Sequence, residues 1–187
     1  MLIAGCGGAA DNATPSRGRT AAPSASPAAT PVPDASSAPN PTLPPIRDVT
    51  SPPQRPDTGR VDGKTAEAVG VYVFELFPYA YATGDLTEWR ALSHPECVFC
   101  TQVIAEVEAL VALGNRVEGG GTRVKLVPSA SSPQGEFTLT GIVDEAPATQ
   151  RSPTGDALLV TNGDRVTVTL RLTVQGGTWS VREVWVA

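Results

Sequence analysis

The chain has 187 residues, 41% of them apolar, and a formal net charge of -5, which suits a small domain with an appendage. Residues 1–60 carry five Arg and four Asp, whereas residues 61–187 carry nine Lys or Arg and fifteen Asp or Glu. Because nucleic-acid binding requires clustered basic residues, the acidic second part excludes nucleic acid as a partner.

The first six residues, Met1 to Cys6, end in Leu-Ile-Ala-Gly-Cys, which is similar to a bacterial lipobox. In such a motif the signal peptide is cleaved before the cysteine, which then becomes lipidated. A signal peptide also has a basic start and an apolar core, and residues 1–6 contain neither. We therefore expect the true start codon to lie upstream, and Cys6 to be the lipidation site; the alternative is a free thiol.

Residues 7–60 have the composition of a disordered tether. All ten aromatic residues follow this segment, while twelve of the eighteen prolines lie between Pro15 and Pro56. A segment of this kind cannot bury enough apolar surface to offset the entropy of ordering it. The predicted domains are thus a signal-peptide remnant (1–6), a Pro-, Ala-, Ser- and Thr-rich tether (7–60) and a globular domain (61–187).

The globular domain begins with an apolar helix over Ala66–Ala82, for which Asp62 or Thr65 provides the N-terminal cap. The segment is too short and too polar to be a good transmembrane candidate, so it is predicted to be a core helix. Pro78 lacks a backbone N–H and its ring crowds the carbonyl four residues earlier. We therefore expect a kink, or the end of the regular helix, near Phe77.

Several aromatic and polar side chains of the helical half are candidates for a cavity or contact surface. Tyr72, Glu75 and Tyr79 follow helical spacing on one side of the first helix. Tyr81 and Trp89 lie close by in the sequence. Either these groups line a ligand site, or their hydroxyls only reach solvent at the edge of the core while Trp89 packs inside it.

Two shorter helices follow, over Leu86–Leu92 and from the cysteine pair to Leu113. Cys97 and Cys100 lie one helical turn apart at the start of the second. In an exported protein, neighbouring cysteines favour a structural disulfide. A redox-active pair and a zinc site are the alternatives, although zinc lacks ligands because His94 is the only histidine.

After three glycines the apolar period changes from helical to alternating, which indicates five strands. They are predicted over Thr122–Val127, Glu136–Val143, Ala157–Thr161, Asp164–Val174 and Trp179–Val186. Asn162-Gly163 predicts a tight hairpin between the third and fourth strands. A phase change at Arg182-Glu183 predicts a β-bulge. Three helices followed by about five antiparallel strands define an α+β fold, with the helices covering one face of the sheet.

These motifs resemble an uncharacterised lipoprotein family of high-GC Gram-positive bacteria, domain of unknown function 6318, over residues 64–187. The matching residues are Ala82-Thr83-Gly84-Asp85, Leu92-Ser93, Pro95-Glu96-Cys97, Cys100, Gly114 and Gly119-Gly120. The resemblance implies a lipid anchor, a Pro-rich spacer and the cysteine pair. It also implies a cone-shaped fold of the nuclear transport factor 2-like or cystatin-like type, with three helices on a curved antiparallel sheet of four to five strands. The family has no established activity.

No combination of residues indicates a catalytic, metal or cofactor site. We expect a binding or interaction module on the outer face of the cell membrane, whose partner is an envelope protein or a small ligand. The alternative is an isomerase- or cyclase-type enzyme that uses the interior of the cone, because related chemistry needs an acid or base inside such a cavity. The predicted inward strand positions are Val and Leu, which favours binding over catalysis.

Overall fold

The computed structural model describes residues 49–187. Three helices come first: α1 (Gly63–Thr83), α2 (Thr87–Leu92) and α3 (Val98–Ala112). Seven strands follow: β1 (Arg116–Gly119), β2 (Thr122–Ser131), β3 (Glu136–Glu145), β4 (Ala148–Arg151), β5 (Ala157–Thr161), β6 (Arg165–Gln175) and β7 (Thr178–Val186). This order confirms the predicted α+β class. The lipobox with Cys6, and the tether as far as residue 48, lie outside the described residues.

The strands form two sheets in which every pairing is antiparallel. The larger sheet has the order β2-β3-β6-β7 and the smaller has the order β1-β4-β5. Neither β1 nor β4 was predicted, because each has only four residues and therefore shows no alternating pattern. The structure thus has two strands more than the sequence indicated, and β5 belongs to a separate sheet.

The predicted hairpin at Asn162-Gly163 is wrong. β5 pairs with β4, while β6 pairs with β3 and β7. A tight turn of the expected type needs positive φ at both central residues. Here Gly163 has φ 75° and no non-glycine residue has a positive φ in the described part of the chain. The dipeptide instead carries the chain from the smaller sheet to the larger one.

Three such crossings run side by side. The crossing after β1 contacts the crossing after β3, because the amide of Gly120 donates to Pro147 O (2.9 Å) and that of Ala146 donates to Gly121 O (2.8 Å). The one after β5 joins them, because the amide of Glu145 donates to Asp164 O (2.7 Å). Each strand of the smaller sheet therefore continues into a strand of the larger sheet, through segments that hydrogen-bond to one another.

The first helix spans Gly63–Thr83, against the predicted Ala66–Ala82, and of the two alternatives at Pro78 the helix does not end there. The Asp62 carboxylate accepts from the Thr65 amide (2.9 Å), which confirms the N-terminal cap. The helix passes through Pro78 instead of ending at Phe77. Proline leaves the carbonyl of Phe74 without its helical donor, and the hydroxyl of Thr122 donates to this oxygen (3.0 Å). A strand residue thus replaces the hydrogen bond that the helix lacks.

The core lies between α1 and the larger sheet. Buried positions on α1 recur at helical spacing, and those on the strands alternate. Gly70 permits close contact, since a Cβ there would lie 2.7 Å from Leu126 Cδ1 and 3.1 Å from Leu170 Cδ2. Leu139 and Leu170 are fully buried, and each contributes roughly 1.5–3 kcal/mol by leaving water.

The loop between α2 and α3 joins the helices to the edge of the larger sheet. Ser93 forms a parallel bridge with Val181, and the amide of His94 donates to Val181 O (3.0 Å). Two successive residues of β6, Arg171 and Leu172, pair with Glu183 and Val181 of β7. Arg182, between these two partners, is therefore the extra residue of a bulge. This confirms the predicted bulge.

Residues 49–60 belong to the predicted tether and run beside α1 without regular secondary structure. Arg55 forms an ion pair with Glu88 of α2 (3.4 Å), and Pro52 and Pro53 line a groove with Pro78. No helix within residues 49–187 combines the length and the apolar character needed to cross a bilayer.

Candidate functional site

An open, mostly apolar cavity of about 240 Å³ lies where α1 and the end of α3 face the smaller sheet. We call it the apolar cleft. Side chains and backbone from six elements and two crossings line it: Phe77, Pro78, Tyr81, Leu110, Val117, Gly119, Gly120, Glu145, Ala146, Ala148, Gln150, Leu159 and Thr161. Mostly apolar clefts with a few polar groups are typical of small-ligand sites, which makes this the candidate functional site.

The chain folds into a cleft here because the smaller sheet departs from the larger one at the three crossings. Gly119 has φ 82°, and a Cβ at this position would lie 2.4 Å from Pro147 O. The crossings can therefore run in contact only because this residue lacks a side chain. Their contact lets β4 and β5 form a wall opposite α1, with Ala148 and Leu159 facing the cleft.

Among residues 49–187, Glu145 is the only acidic residue that lines the apolar cleft. Glu145 is an exposed residue, but the atoms around its carboxylate partly desolvate it, which raises the pKa of Glu145, and the nearby Asp164 carboxylate raises it further. No basic side chain of residues 49–187 forms an ion pair with either carboxylate. The cleft therefore combines apolar walls with a carboxyl group that can accept a proton or a cationic group of a ligand.

The structure does not bring the five candidates from the sequence into one cavity. Only Tyr81 lines the apolar cleft. Trp89 is buried in the core, where its indole N–H donates to Cys100 O (3.2 Å) and its ring packs near Phe77. Glu75 lines a groove between residues 49–53 and the start of β2.

The three tyrosines share a different feature, since each hydroxyl donates to a carboxylate that follows α1 in the sequence. Tyr72 donates to Glu88 Oε2 (3.1 Å), and Tyr79 donates to Asp85 Oδ2 (3.0 Å). Tyr81 donates to Glu106. The bonds of Tyr72 and Tyr81 join α1 to α2 and α3, and that of Tyr79 joins α1 to the loop before α2, so all three hold the helical half together.

Replacing Tyr72 with phenylalanine tests this role through the pH dependence of stability. Burial first, and then the Glu88 carboxylate, raise the pKa of Tyr72 from 10.0 to about 12. A raised pKa means that the folded state favours the neutral phenol, so this stabilisation is present below pH 10 and is lost as the pH rises towards 12. Tyr72→Phe is expected to lower the free energy of unfolding at pH 8 by about 1 kcal/mol and to flatten its decline above pH 10.

Urea unfolding at several pH values measures both effects. Tyr79→Phe serves as a control, because its hydroxyl bond is exposed and its change in pH dependence should be smaller. Equal alkaline slopes for wild type and Tyr72→Phe would contradict the assignment.

Cys97 and Cys100 form the predicted disulfide. Both residues are buried, and the backbone amide of Cys100 lies 3.2 Å from Cys97 Sγ. The disulfide closes the turn that starts α3, directly beside Trp89. Its burial fits a structural clamp.

Apart from Tyr81, the residues of the apolar cleft were not predicted from the sequence. Glu145 ends a strand, and Ala148 and Gln150 belong to a strand that was not predicted. The one available signal was the clustering of Gly119-Gly120-Gly121 and Pro147 at strand ends, since such residues mark crossings and close backbone contacts.

Comparison with known proteins adds a fold relative and a family. No curated protein matches the chain. Among solved structures, the crystal structure of the intermembrane space region of chloroplast protein ARC6 is similar, with a TM-score of 0.52 and 14% identity. The match covers 68% of this chain and 97% of that one, and at this identity it concerns the fold alone. The sequence profile of a family of unknown function, DUF6318, matches residues 35–184, so the chain belongs to this family.

Proposed function

We propose that the chain is a binding module of the cell envelope that holds an apolar ligand in the apolar cleft. The observation that carries this proposal is the cleft itself, with walls of Phe77, Leu110 and Leu159 and, at its side, the carboxyl of Glu145, which has no ion-pair partner among residues 49–187. Burial of apolar ligand surface supplies affinity, while a single polar group fixes orientation.

Filling the apolar cleft tests the proposal. Nile red, an uncharged apolar dye, is expected to fluoresce when it binds the purified chain. Ala148→Trp places a large ring among the cleft walls and should raise the dissociation constant for the dye, measured by fluorescence titration, at least about tenfold, equivalent to ~1.4 kcal/mol of binding free energy. Thr149→Trp is the matched control, because adjacent strand residues point to opposite faces of the sheet. Equal dye binding by the two variants would refute the cleft as the ligand site.

The proposed fold type is the nuclear transport factor 2-like cone. Three strands of the smaller sheet continue into the larger one through crossings that contain glycine or proline, as expected for a strongly bent sheet. In this arrangement α1 lies on the inner side of the bend, and the apolar cleft is the mouth of the cone. A mouth of this kind is a favourable place for a ligand.

The proposed location is the outer face of the cell membrane of a high-GC Gram-positive bacterium, with lipidated Cys6 as the anchor. The lipobox-like start and the proline-rich tether support it. Residues 49–60 run beside α1, so the spacer is residues 7–48, whose composition allows a reach of ~3 Å per residue and on the order of 125 Å when fully extended. The binding domain would thus stand well away from the bilayer.

Globomycin, which inhibits lipoprotein signal peptidase, tests the anchor. Cells that express the full-length gene are expected to accumulate an unprocessed precursor when treated. The Cys6→Ser variant should remain unprocessed with or without the inhibitor, because it lacks the thiol that is lipidated before cleavage. Normal processing of the wild-type protein in the presence of globomycin would exclude lipidation at Cys6.

An isomerase- or cyclase-type enzyme is the second candidate, and Glu145 is the observation that favours it. A carboxyl group with a raised pKa in an apolar cleft can act as a general acid or base. The cleft offers little else for such chemistry, since the nearby Tyr81 hydroxyl already donates to Glu106. Binding is therefore the function that this site supports best.

A further inference from the structure

We propose that the ligand of the apolar cleft is an extended peptide segment with apolar side chains and a basic residue, which adds as a strand to the free edge of β5. This inference rests on the proposed function and identifies the chemical class of the ligand. Two features carry it: the unprotected edge of β5 and the unpaired carboxylates beside it.

β5 is an outer strand with an apolar sequence. Among residues 49–187 its only neighbour is β4, so the backbone N–H and C=O groups on its other side face no strand. Leu158, Leu159 and Val160 are 54%, 58% and 61% exposed. An exposed apolar edge is a template for pairing with another chain.

The other outer strands of the two sheets are protected against such pairing. They carry charged side chains or proline: Arg116 and Glu118 on β1, Arg123, Lys125 and Pro128 on β2, and Arg182 and Glu183 on β7. β5 has no charged residue and no proline, and its bulge involves only its first residues, at Leu158. Its regular part, Leu159–Thr161, is therefore open to a further strand.

The edge of β5 and the apolar cleft form one continuous surface. Leu159 and Thr161 line the cleft, whereas Val160 between them points to the opposite face. A strand paired with β5 would direct every second side chain to the cleft side. Peptide recognition by strand addition has this division of roles, in which main-chain hydrogen bonds give affinity and pockets for alternate side chains give specificity.

The negative charges at the two ends of β5 favour a foreign basic peptide over a second copy of this chain as the added strand. Glu145 and Asp164 lie at two neighbouring crossings that hydrogen-bond to each other, and neither has an ion-pair partner in the described part of the chain. Asp156 precedes β5 at its other end. Two antiparallel copies of β5 would bring the Asp156 end of one strand close to the Asp164 end of the other. A peptide with lysine or arginine beside its apolar residues would instead neutralise these carboxylates.

Titration of the purified full chain with synthetic peptides tests the inference. The probe is acetyl-Lys-Val-Leu-Val-Lys-amide, compared with the same peptide carrying glutamate in place of both lysines. The basic peptide is expected to bind and the acidic one to bind at least tenfold more weakly. Glu145→Gln should weaken the basic peptide about threefold to fivefold, as expected for one charge pair at a partly open site.

Backbone methylation separates strand addition from simple charge attraction. In an extended peptide, successive backbone N–H groups point to opposite edges. One isomer of the basic peptide is therefore N-methylated on one edge only, and a second isomer is N-methylated on the other edge only. The isomer whose methyl groups face β5 should lose binding, while the other should bind as the parent does. Equal binding by both isomers, or no binding of the basic peptide, would overturn the inference.

Two further results separate the possible failures. If Nile red binds and Ala148→Trp blocks it while no peptide binds, the cleft stands as a ligand site and the peptide assignment fails. If analytical ultracentrifugation of the Cys6→Ser chain shows a dimer that Val160→Lys dissociates, β5 pairs with a second copy, and the peptide assignment fails as well. The expected result is a monomer.

Discussion

The Gly141→Ala variant is expected to lose about 3 kcal/mol of folding free energy, although it adds only one methyl group. A Cβ at Gly141 would lie 2.0 Å from Lys125 O and 2.9 Å from Leu126 Cα, both in the backbone of β2. Backbone atoms cannot rotate away as a flexible side chain can, so β2 and β3 must separate where they now pair. Forced overpacking of this kind is among the few mechanisms that cause large losses of stability.

Urea unfolding followed by circular dichroism measures the loss. Gly63→Ala is the matched control, since its Cβ would meet only the Pro128 side chain at 3.4 Å, an ordinary contact, and its effect should stay within about 0.5 kcal/mol. Similar stabilities of the Gly141→Ala and Gly63→Ala variants would show that β2 and β3 are not paired as described.

Loss of the Cys97–Cys100 disulfide is the other change with a large expected effect. A loop of about four residues gives ~2 kcal/mol from the entropy of the unfolded chain. Both sulfur atoms are also buried, so the double variant Cys97→Ala/Cys100→Ala leaves a space beside Trp89. We expect a total loss of ~2–4 kcal/mol.

Reduction of the disulfide in the wild-type chain should also lower the free energy of unfolding, as the double substitution does. Cys6→Ser is the control and should unfold at the wild-type urea concentration. Thiol labelling of the unfolded, non-reduced Cys6→Ser chain should detect no free cysteine. Two labelled cysteines, or a urea-unfolding midpoint that reductant does not change, would show that Cys97 and Cys100 are not joined by a stabilising disulfide.

The elements predicted well are those whose signals are local. The first helix follows from apolar residues at helical spacing and from an Asp62 cap only three residues from its partner. The long strands follow from alternation over eight or more residues, and the bulge at Arg182 follows from a break in that alternation. The disulfide pairs two cysteines three positions apart, so no tertiary information was needed.

The features that were missed depend on contacts between distant parts of the chain. Pro78 does not end α1, because Thr122, far along the chain, supplies the missing donor. Asn162-Gly163 has the sequence of a hairpin turn, yet pairing of β5 with β4 and of β6 with β3 prevails over that local preference. Short strands such as β1 and β4 have no detectable period and exist only because a neighbouring strand pairs with them.

The apolar cleft was hidden from the sequence for the same reason. Its walls come from helices, strands and crossings that are distant along the chain, and none of these segments contains a recognisable binding motif. The unpaired state of Glu145 is also a tertiary property, because it depends on where the basic side chains fold. The hydroxyl partners of the tyrosines are tertiary as well, since Tyr72 donates to Glu88 and Tyr79 to Asp85.

The most direct test of the account is native mass spectrometry of the full chain, purified under mild conditions from the membranes of cells that express it. The account predicts that the wild-type chain retains an additional bound mass, which the Ala148→Trp variant lacks and the Thr149→Trp variant keeps. Spectra without a bound mass in all three proteins, or with the same bound mass in all three, would contradict a ligand site in the apolar cleft.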